Sequence, residues 1–346
     1  MALTEIHRGN GVDIPTTPTS SVGEVVYPPV LASEGRKKGI FPRVIVTGED
    51  MTRRAEELRN IPLGGTTSRI SVRYFVENEV LRNLTRKQKE ELSPLLEGIV
   101  ELAGDGDAFS DCSIVYLGNN SPERHTDPAV FAAEIQMAQN IFKSPPSSKE
   151  YDYSQFTFRE ITPEDRVDNR IIDQYAQLYS AFGWNREQVV TILQNPASIL
   201  LGTFVNDQLV SAGMAERAEF SIERNGVLHP FVMYEITEAA TQVEYRGMGL
   251  YTKVARELMK LLALTDIDLL YGESNLLSEA VLRAAHALER TSSIETLEKY
   301  GFYPRALEQH VRISGGPHDM RPETEKNDLL PTSMTRDKLL QYAYAL

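Results

Sequence analysis

Residues 235–258 read EITEAATQVEYRGMGLYTKVAREL, and their order of extended chain, glycine-bearing turn and amphipathic helix decides how the rest is read. Arg246, Gly247 and Gly249 fall between the end of a strand and the start of a helix whose leucines and valine recur every three or four residues. Small residues there let backbone N–H groups approach a ligand. The helix N-terminus adds its positive dipole, so the turn is suited to hold a pyrophosphate. Taken alone, the two glycines fit a bare tight turn equally well.

Upstream of this segment, TFREITPED reads as strand and turn, Asp165 or Asp168 starts a helix over RIIDQYAQLYSAFGW, and Asn185 caps REQVVTILQ. SILLGTFV, the turn residues Asn206 and Asp207, and QLVSAGMAERAEF form two hairpin-connected strands, and Asn225-Gly226 leads into a third. Downstream, DIDLLYGES is a strand, SEAVLRAAHALE a helix, and YGFYPRALEQHVRI closes with strand-like runs. Residues 156–315 are therefore expected to run meander, turn, helix, strand, helix, strand, and 316–346 to form a tail with a short helix. SPPSSKEYDYSQ, at 144–155, has the Pro/Ser-rich composition of a linker.

Residues 41–143 read as a second α+β domain. PRVIVTGED is strand and turn, MTRRAEELRNI a helix opening at Glu49, Asp50 or Thr52, SRISVRYFV an alternating strand and CSIVYLG a buried one. TRKQKEELSPLLEGIVELA has helical spacing with a proline in it. Residues 1–40, rich in Pro, Thr, Ser and Gly, read as a flexible leader. The fold class expected is α/β with a mixed sheet, in two domains, as the length of 346 residues also suggests.

Lys+Arg total 36 against 49 Asp+Glu, a net charge of −13, which argues against non-specific nucleic-acid or anionic-membrane binding. Cys112 is the single cysteine, so neither an intrachain disulfide nor a cysteine-based zinc cluster is expected. The first twenty residues lack a signal-peptide core and no apolar run is long enough to cross a bilayer, so a cytoplasmic location is expected. No metal site is expected. Asp105, Asp107 and Asp111 lack the remaining positions of a calcium loop, and His125, His318 and Asp319 show no recurring ligand spacing. GGTTSR, Gly64 to Arg69, lacks the lysine ending of a phosphate-binding loop.

The pattern Arg-x-x-Gly-x-(Gly/Ala), preceded by Glu-Tyr and followed by an amphipathic helix, resembles the coenzyme A loop of the GNAT superfamily of acyl-CoA N-acyltransferases. Here it is Arg246, Gly249 and Tyr251, the last in place of the usual small residue. Lys299, Tyr300, Gly301 and Phe302 resemble the superfamily's Lys-x-Gly-Phe ending, and the element order from about 156 to 314 fits it too. EITEAATQVEYRGMGLYT, with the later ISGGPHDM, is similar to the bacterial β-lysine N-acetyltransferase group, which favours a small, amino-acid-like amine acceptor over a protein.

The resemblance implies a V-shaped opening between two parallel strands, MYEITEAAT and DLLYGES, that takes acetyl-CoA or another acyl-CoA as co-substrate. Ala240, Thr241, Gln242 and Val243 would offer main-chain groups to the pantetheine, with an N–H near Ala240 or Thr241 on the thioester oxygen. Amides of Arg246, Gly247, Met248, Gly249, Leu250 and Tyr251 would hold the pyrophosphate, Thr252 would add its hydroxyl, and Asn275 would contact the pantetheine arm.

A primary amine of pKa about 10 needs a base at neutral pH. Glu238, just before the splay, is the first candidate and Glu235 the second; a solvated or salt-bridged strand carboxylate is the alternative role for each. Three apart, they point to opposite faces of a regular strand, so a shared cavity needs a bulge. The tyrosine that commonly protonates the departing thiolate is Leu297 here, so either Tyr300 or another tyrosine substitutes, or the thiolate leaves without a dedicated acid. His286 reads as a packed or surface residue, and Trp184 with Phe182 as core or as acceptor-pocket wall. The expected protein transfers an acyl group to a small-molecule amine, with no nucleic-acid or membrane partner and a homodimer allowed. The alternative raised by Leu297 is a fold that binds acyl-CoA as a sensor or scaffold without turnover.

Overall fold

Two tight turns and long runs of alternating side chains build the main sheet. The computed structural model describes residues 39–41, 47–60, 70–102, 109, 111–119, 128–145, 150–180, 183–224, 227–275, 279–302 and 329–345. The N-terminal part holds β1 (Gly39–Phe41), α1 (Gly48–Arg59), β2 (Ile70–Glu77), α2 (Asn78–Asn83), α3 (Arg86–Leu92), β3 (Leu96–Leu102), β4 (Cys112–Asn119) and α4 (Pro128–Lys143). After it come β5 (Thr157–Glu160), α5 (Asn169–Tyr179), α6 (Arg186–Leu193), β6 (Ser198–Val205), β7 (Gln208–Arg224), β8 (Val227–Thr241) and α7 (Leu250–Leu262). The chain closes with β9 (Leu269–Asn275), α8 (Glu279–Ala287), β10 (Thr291–Ser292), α9 (Ser293–Lys299), β11 (Leu329–Thr335) and α10 (Arg336–Ala345).

The main sheet has the order β10-β11-β9-β8-β7-β6-β5, with β1 parallel to β7. Asn206 and Asp207, at φ 49° and 61°, make the left-handed two-residue turn between β6 and β7 that their sequence predicts. Asp168 caps α5 by accepting from Arg170 N, and Asn185 caps α6 with a full capping box to Gln188. α7 buries Val254, Leu258 and Leu262 against Tyr234, Ile236 and Leu270 of the sheet, and Leu250 against Phe156 and Val210.

A second sheet, β2-β4-β3, is covered on both faces. Tyr74, Val76, Ile99, Val115 and Leu117 pack under α1, α4, α8 and α9, while Phe75, Val100, Ile114 and Tyr116 pack on Phe231, Met233, Leu269 and Tyr271 of the main sheet. The contact is aromatic: Phe75 meets Phe231 edge-on at 5.5 Å and Tyr116 stacks on Tyr271 at 5.7 Å. Chain on both sides of 144–155 thus shares the same buried clusters.

Several elements depart from the sequence reading. α1 begins one residue early, because Thr47 accepts from Asp50 N at 3.1 Å and so caps it. TRKQKEELSPLLEGIVELA is not one helix: α3 stops before Ser93-Pro94, and β3 follows with Ile99 and Val100 buried in opposite clusters. α4 was not foreseen, and within 316–346 the structure contains β11, set between β9 and β10, ahead of α10. The residues after Phe302 that were read as closing strands lie outside the described residues, as do Asn225-Gly226, Gly64 to Arg69, Asp105, Asp107, His125, Phe182, His318 and Asp319. No helix among the described residues is long and apolar enough to cross a membrane.

Phe75, fully buried where the two sheets meet, sets a test of their union. Phe75→Ala is expected to cost about 3–5 kcal/mol, with one urea transition for the whole chain before and after; two separate transitions in the parent protein would show that the sheets fold independently.

Candidate functional site

β8 and β9 run parallel and pair only from Met233 with Leu269 to Ile236 with Gly272. Beyond that point β8 stays with β7 as far as Thr241 opposite Ser211, and β9 stays with β11 as far as Asn275 opposite Leu329. The strands therefore part, and their facing edges are freed from one another. A bulge lies just past the vertex: Met214 pairs with Thr237 and Ala212 with Ala240, so Glu238 and Ala239 together oppose Gly213. Glu235, opposite Glu216, keeps the parity of Met214 and Ala212 and so shares a face with Ala240.

Hydrogen bonds at the end of β8 sort the expected main-chain contacts. Gln242 N donates to Val210 O at 2.9 Å and its Nε2 donates to Leu209 O at 2.7 Å, so Gln242 is turned toward β7. Ala240, two residues earlier, has the same orientation, and the Thr241 N–H turns the other way, to the side that β9 has left. Ser211 Oγ donates to Ala240 O at 3.0 Å and lies 2.8 Å from Thr241 Oγ1, while Arg246 Nε donates to Thr241 O at 3.3 Å.

The glycine turn follows. Gly247 and Gly249 both adopt left-handed backbone, φ 78° and 71°, and Gly249 is the N-cap of α7 with no side-chain cap bond. The first-turn amides of α7, at Leu250, Tyr251 and Thr252, are thus left uncapped by any side chain of the turn, and no acidic residue occupies that turn. Arg246, Gly247 and Met248 are exposed, and Val243 is exposed beside them. Tyr151 and Tyr153, from the stretch read as a linker, buttress the turn: Tyr153 Oη donates to Gly249 O at 3.3 Å.

Two buried charges lie at the vertex, Glu235 on β8 and Arg290, which follows α8. Burial pushes the Arg290 guanidinium down while Tyr251, Tyr271 and Glu235 push it up; Tyr251 is pushed up by burial and pulled down by Arg290. Arg290 was missed by sequence reasoning. The available signal was Gly272 inside a strand, a mark of close approach.

Tyr300 sits elsewhere, in the cluster with Leu58, Ile99 and Leu297. Its hydroxyl donates to the carboxylate of Glu101 on β3, whose two oxygens also lie 2.7 Å from Lys299 Nζ. Burial first, and then the Glu101 carboxylate, push the phenol far above its ordinary value. His286 packs as read, 2.6 Å from Ser144 O through Nε2 and 5.3 Å from the Phe142 ring. Trp184 stacks on Tyr179 at 5.3 Å in the cluster that includes Ala240, so this aromatic set borders the end of β8. Glu238 and Asn275 are placed by their backbone, in the bulge and at the last position of β9.

No family model matches the chain, and no curated protein matches it. Solved structures do resemble parts of it. A conserved protein of unknown function from Enterococcus faecalis V583 shares 22% identity at a TM-score of 0.28, over 34% of this chain and 29% of that one. The chain therefore spans under a third of that relative's length. The ribosomal-protein-S18-alanine N-acetyltransferase of Escherichia coli shares 11% identity at a TM-score of 0.35, covering 52% of this chain and 93% of that one. NAA60 of Arabidopsis thaliana, in complex with acetyl-CoA, gives 11% identity and a TM-score of 0.38, over 52% of this chain and 98% of that one.

The two turn glycines differ in what they require. A Cβ on Gly247 meets nothing within 4 Å, whereas one on Gly249 would stand 2.7 Å from Cδ2 of Tyr151. Gly247→Ala is expected to cost about 1–2 kcal/mol from its backbone alone, and Gly249→Ala more, with part of the excess relieved by Tyr151→Ala. Urea midpoints of the three variants check the ranking.

Proposed function

We propose that the chain is an acyl-CoA-dependent N-acyltransferase that moves an acetyl or other short acyl group to the amine of a small, amino-acid-like molecule. The observation that carries this reading is the parting of β8 and β9 at Ile236 and Gly272, with the uncapped α7 N-terminus one turn beyond the end of β8. Bound acyl-CoA supplies the activated thioester. The freed edge of β8, with the Thr241 N–H turned outward, suits the pantetheine and the thioester oxygen. Amides from Arg246 to Tyr251, with the Thr252 hydroxyl and the Arg246 charge, suit the pyrophosphate; Asn275, at the end of β9, would contact the arm. These local groups must outweigh the repulsion between a polyanion and a chain of net charge −13, and the same surplus of carboxylate suits a cationic acceptor.

Glu238 takes the proton from the attacking amine, with Glu235 as the other carboxylate on the strand. The amine nitrogen adds to the carbonyl carbon, the C–S bond breaks, and the thiolate leaves. Leu297 is fully buried and apolar, and the Tyr300 hydroxyl is donated to Glu101, so the thiolate takes its proton from another tyrosine or from water.

Thiol release from acetyl-CoA against a panel of small amines tests the reading. Turnover with at least one amine, lowered roughly 10²–10⁴-fold by Glu238→Gln, is expected. CoA binding without thiol release for any amine would contradict transfer and leave an acyl-CoA-binding sensor.

A further inference from the structure

Gly272 is the last residue of β9 that pairs with β8, and the space where its side chain would stand is filled by Arg290. Cζ and Nη1 of Arg290 lie 3.1 Å from the position of a Cβ on Gly272, and Nη2 is closer still. The approach has a side. Gly272 is two residues from Leu270, which packs with Val254 and Leu258 of α7, whereas Tyr271 is two residues from Leu269, which packs on the β2-β4-β3 sheet. Glu235, opposite Tyr271 and two residues from Met233, belongs to that second face. A buried cation thus meets the vertex from the α7 face and a buried carboxylate from the opposite one.

We propose that Arg290 is a further catalytic group, whose guanidinium faces the acyl end of the co-substrate at the vertex and stabilises the oxyanion of the tetrahedral intermediate. The assignment rests on the acyl-transfer reading. As the amine nitrogen bonds to the thioester carbon, the carbonyl π pair moves to oxygen; Arg290 and the Thr241 N–H hold that charge. The pair returns as the C–S bond breaks, and the ammonium proton passes to a strand carboxylate. Arginine suits this place because its guanidinium stays charged when buried and presents a planar fork of N–H donors. Gly272 is then required as the residue that admits the guanidinium, which no other side chain at that position would do.

Arg290→Met is expected to lower kcat roughly 10²–10³-fold while the acetyl-CoA dissociation constant changes little. Gly272→Ala, which keeps the charge but displaces it, is expected to do the same. Arg290→Lys and added guanidinium ion should each restore part of the rate, which a purely structural role would not allow. A second readout needs binding alone: the infrared carbonyl band of bound 13C-labelled acetyl-CoA should move to lower frequency in the parent protein and return in both variants. A shifted band without turnover against any amine would keep the guanidinium at the thioester oxygen but remove the transferase reading and, with it, the catalytic role. Turnover with an unchanged kcat and band in a folded Arg290→Met protein would overturn the Arg290 assignment and leave transfer standing. Absence of acetyl-CoA binding would overturn both.

Discussion

A parallel pairing that stops after Ile236 and Gly272 is the constraint on which the site depends. Strands separate at small cost only when each keeps a partner on its other edge, because a buried unpaired amide is expensive. β7 supplies that partner for β8, and β11 supplies it for β9. Gln242 then folds back on Leu209 and Val210, ending the strand and delivering the chain into the glycine turn. The opening is a property of the sheet order, and the bulge at Glu238 and Ala239 reshapes its wall.

The second sheet supports this arrangement from one face. Its aromatic contacts, Tyr116 on Tyr271 and Phe75 on Phe231, lie under the strands that part. At its far edge Glu101 holds Lys299 and the hydroxyl of Tyr300, tying β3 to the end of α9. The motif Lys299-Tyr300-Gly301-Phe302 thereby fastens the end of α9 to the edge of the second sheet, with its tyrosine hydroxyl donated to a carboxylate.

Local chemistry was legible in the sequence and distant partnership was not. Asp168 and Asn185 cap helices where they were read to do so, Asn206 and Asp207 turn as their residue types require, and the spacing of α7 predicts its buried face. These follow from residues within a few positions of each other. By contrast, β11 joins the sheet across a long gap in sequence, and the split of α3 from β3 reflects strand pairing with β4 that no periodicity in one segment records. Tyr300 donates to Glu101, 199 residues away, a partnership that no local pattern records. Gly272 inside a strand marks a close approach, but only the fold shows that a guanidinium from Arg290 fills the space that the glycine leaves.

Amide hydrogen exchange of the full chain with and without acetyl-CoA shows whether the parted strands and the glycine turn hold the ligand. Slowed exchange is expected at Thr241 and from Arg246 to Thr252, where outward or uncapped amides would meet the ligand, with β2 and β4 unchanged. Protection confined to any other part of the chain, with these amides unaffected, would contradict that placement of the ligand.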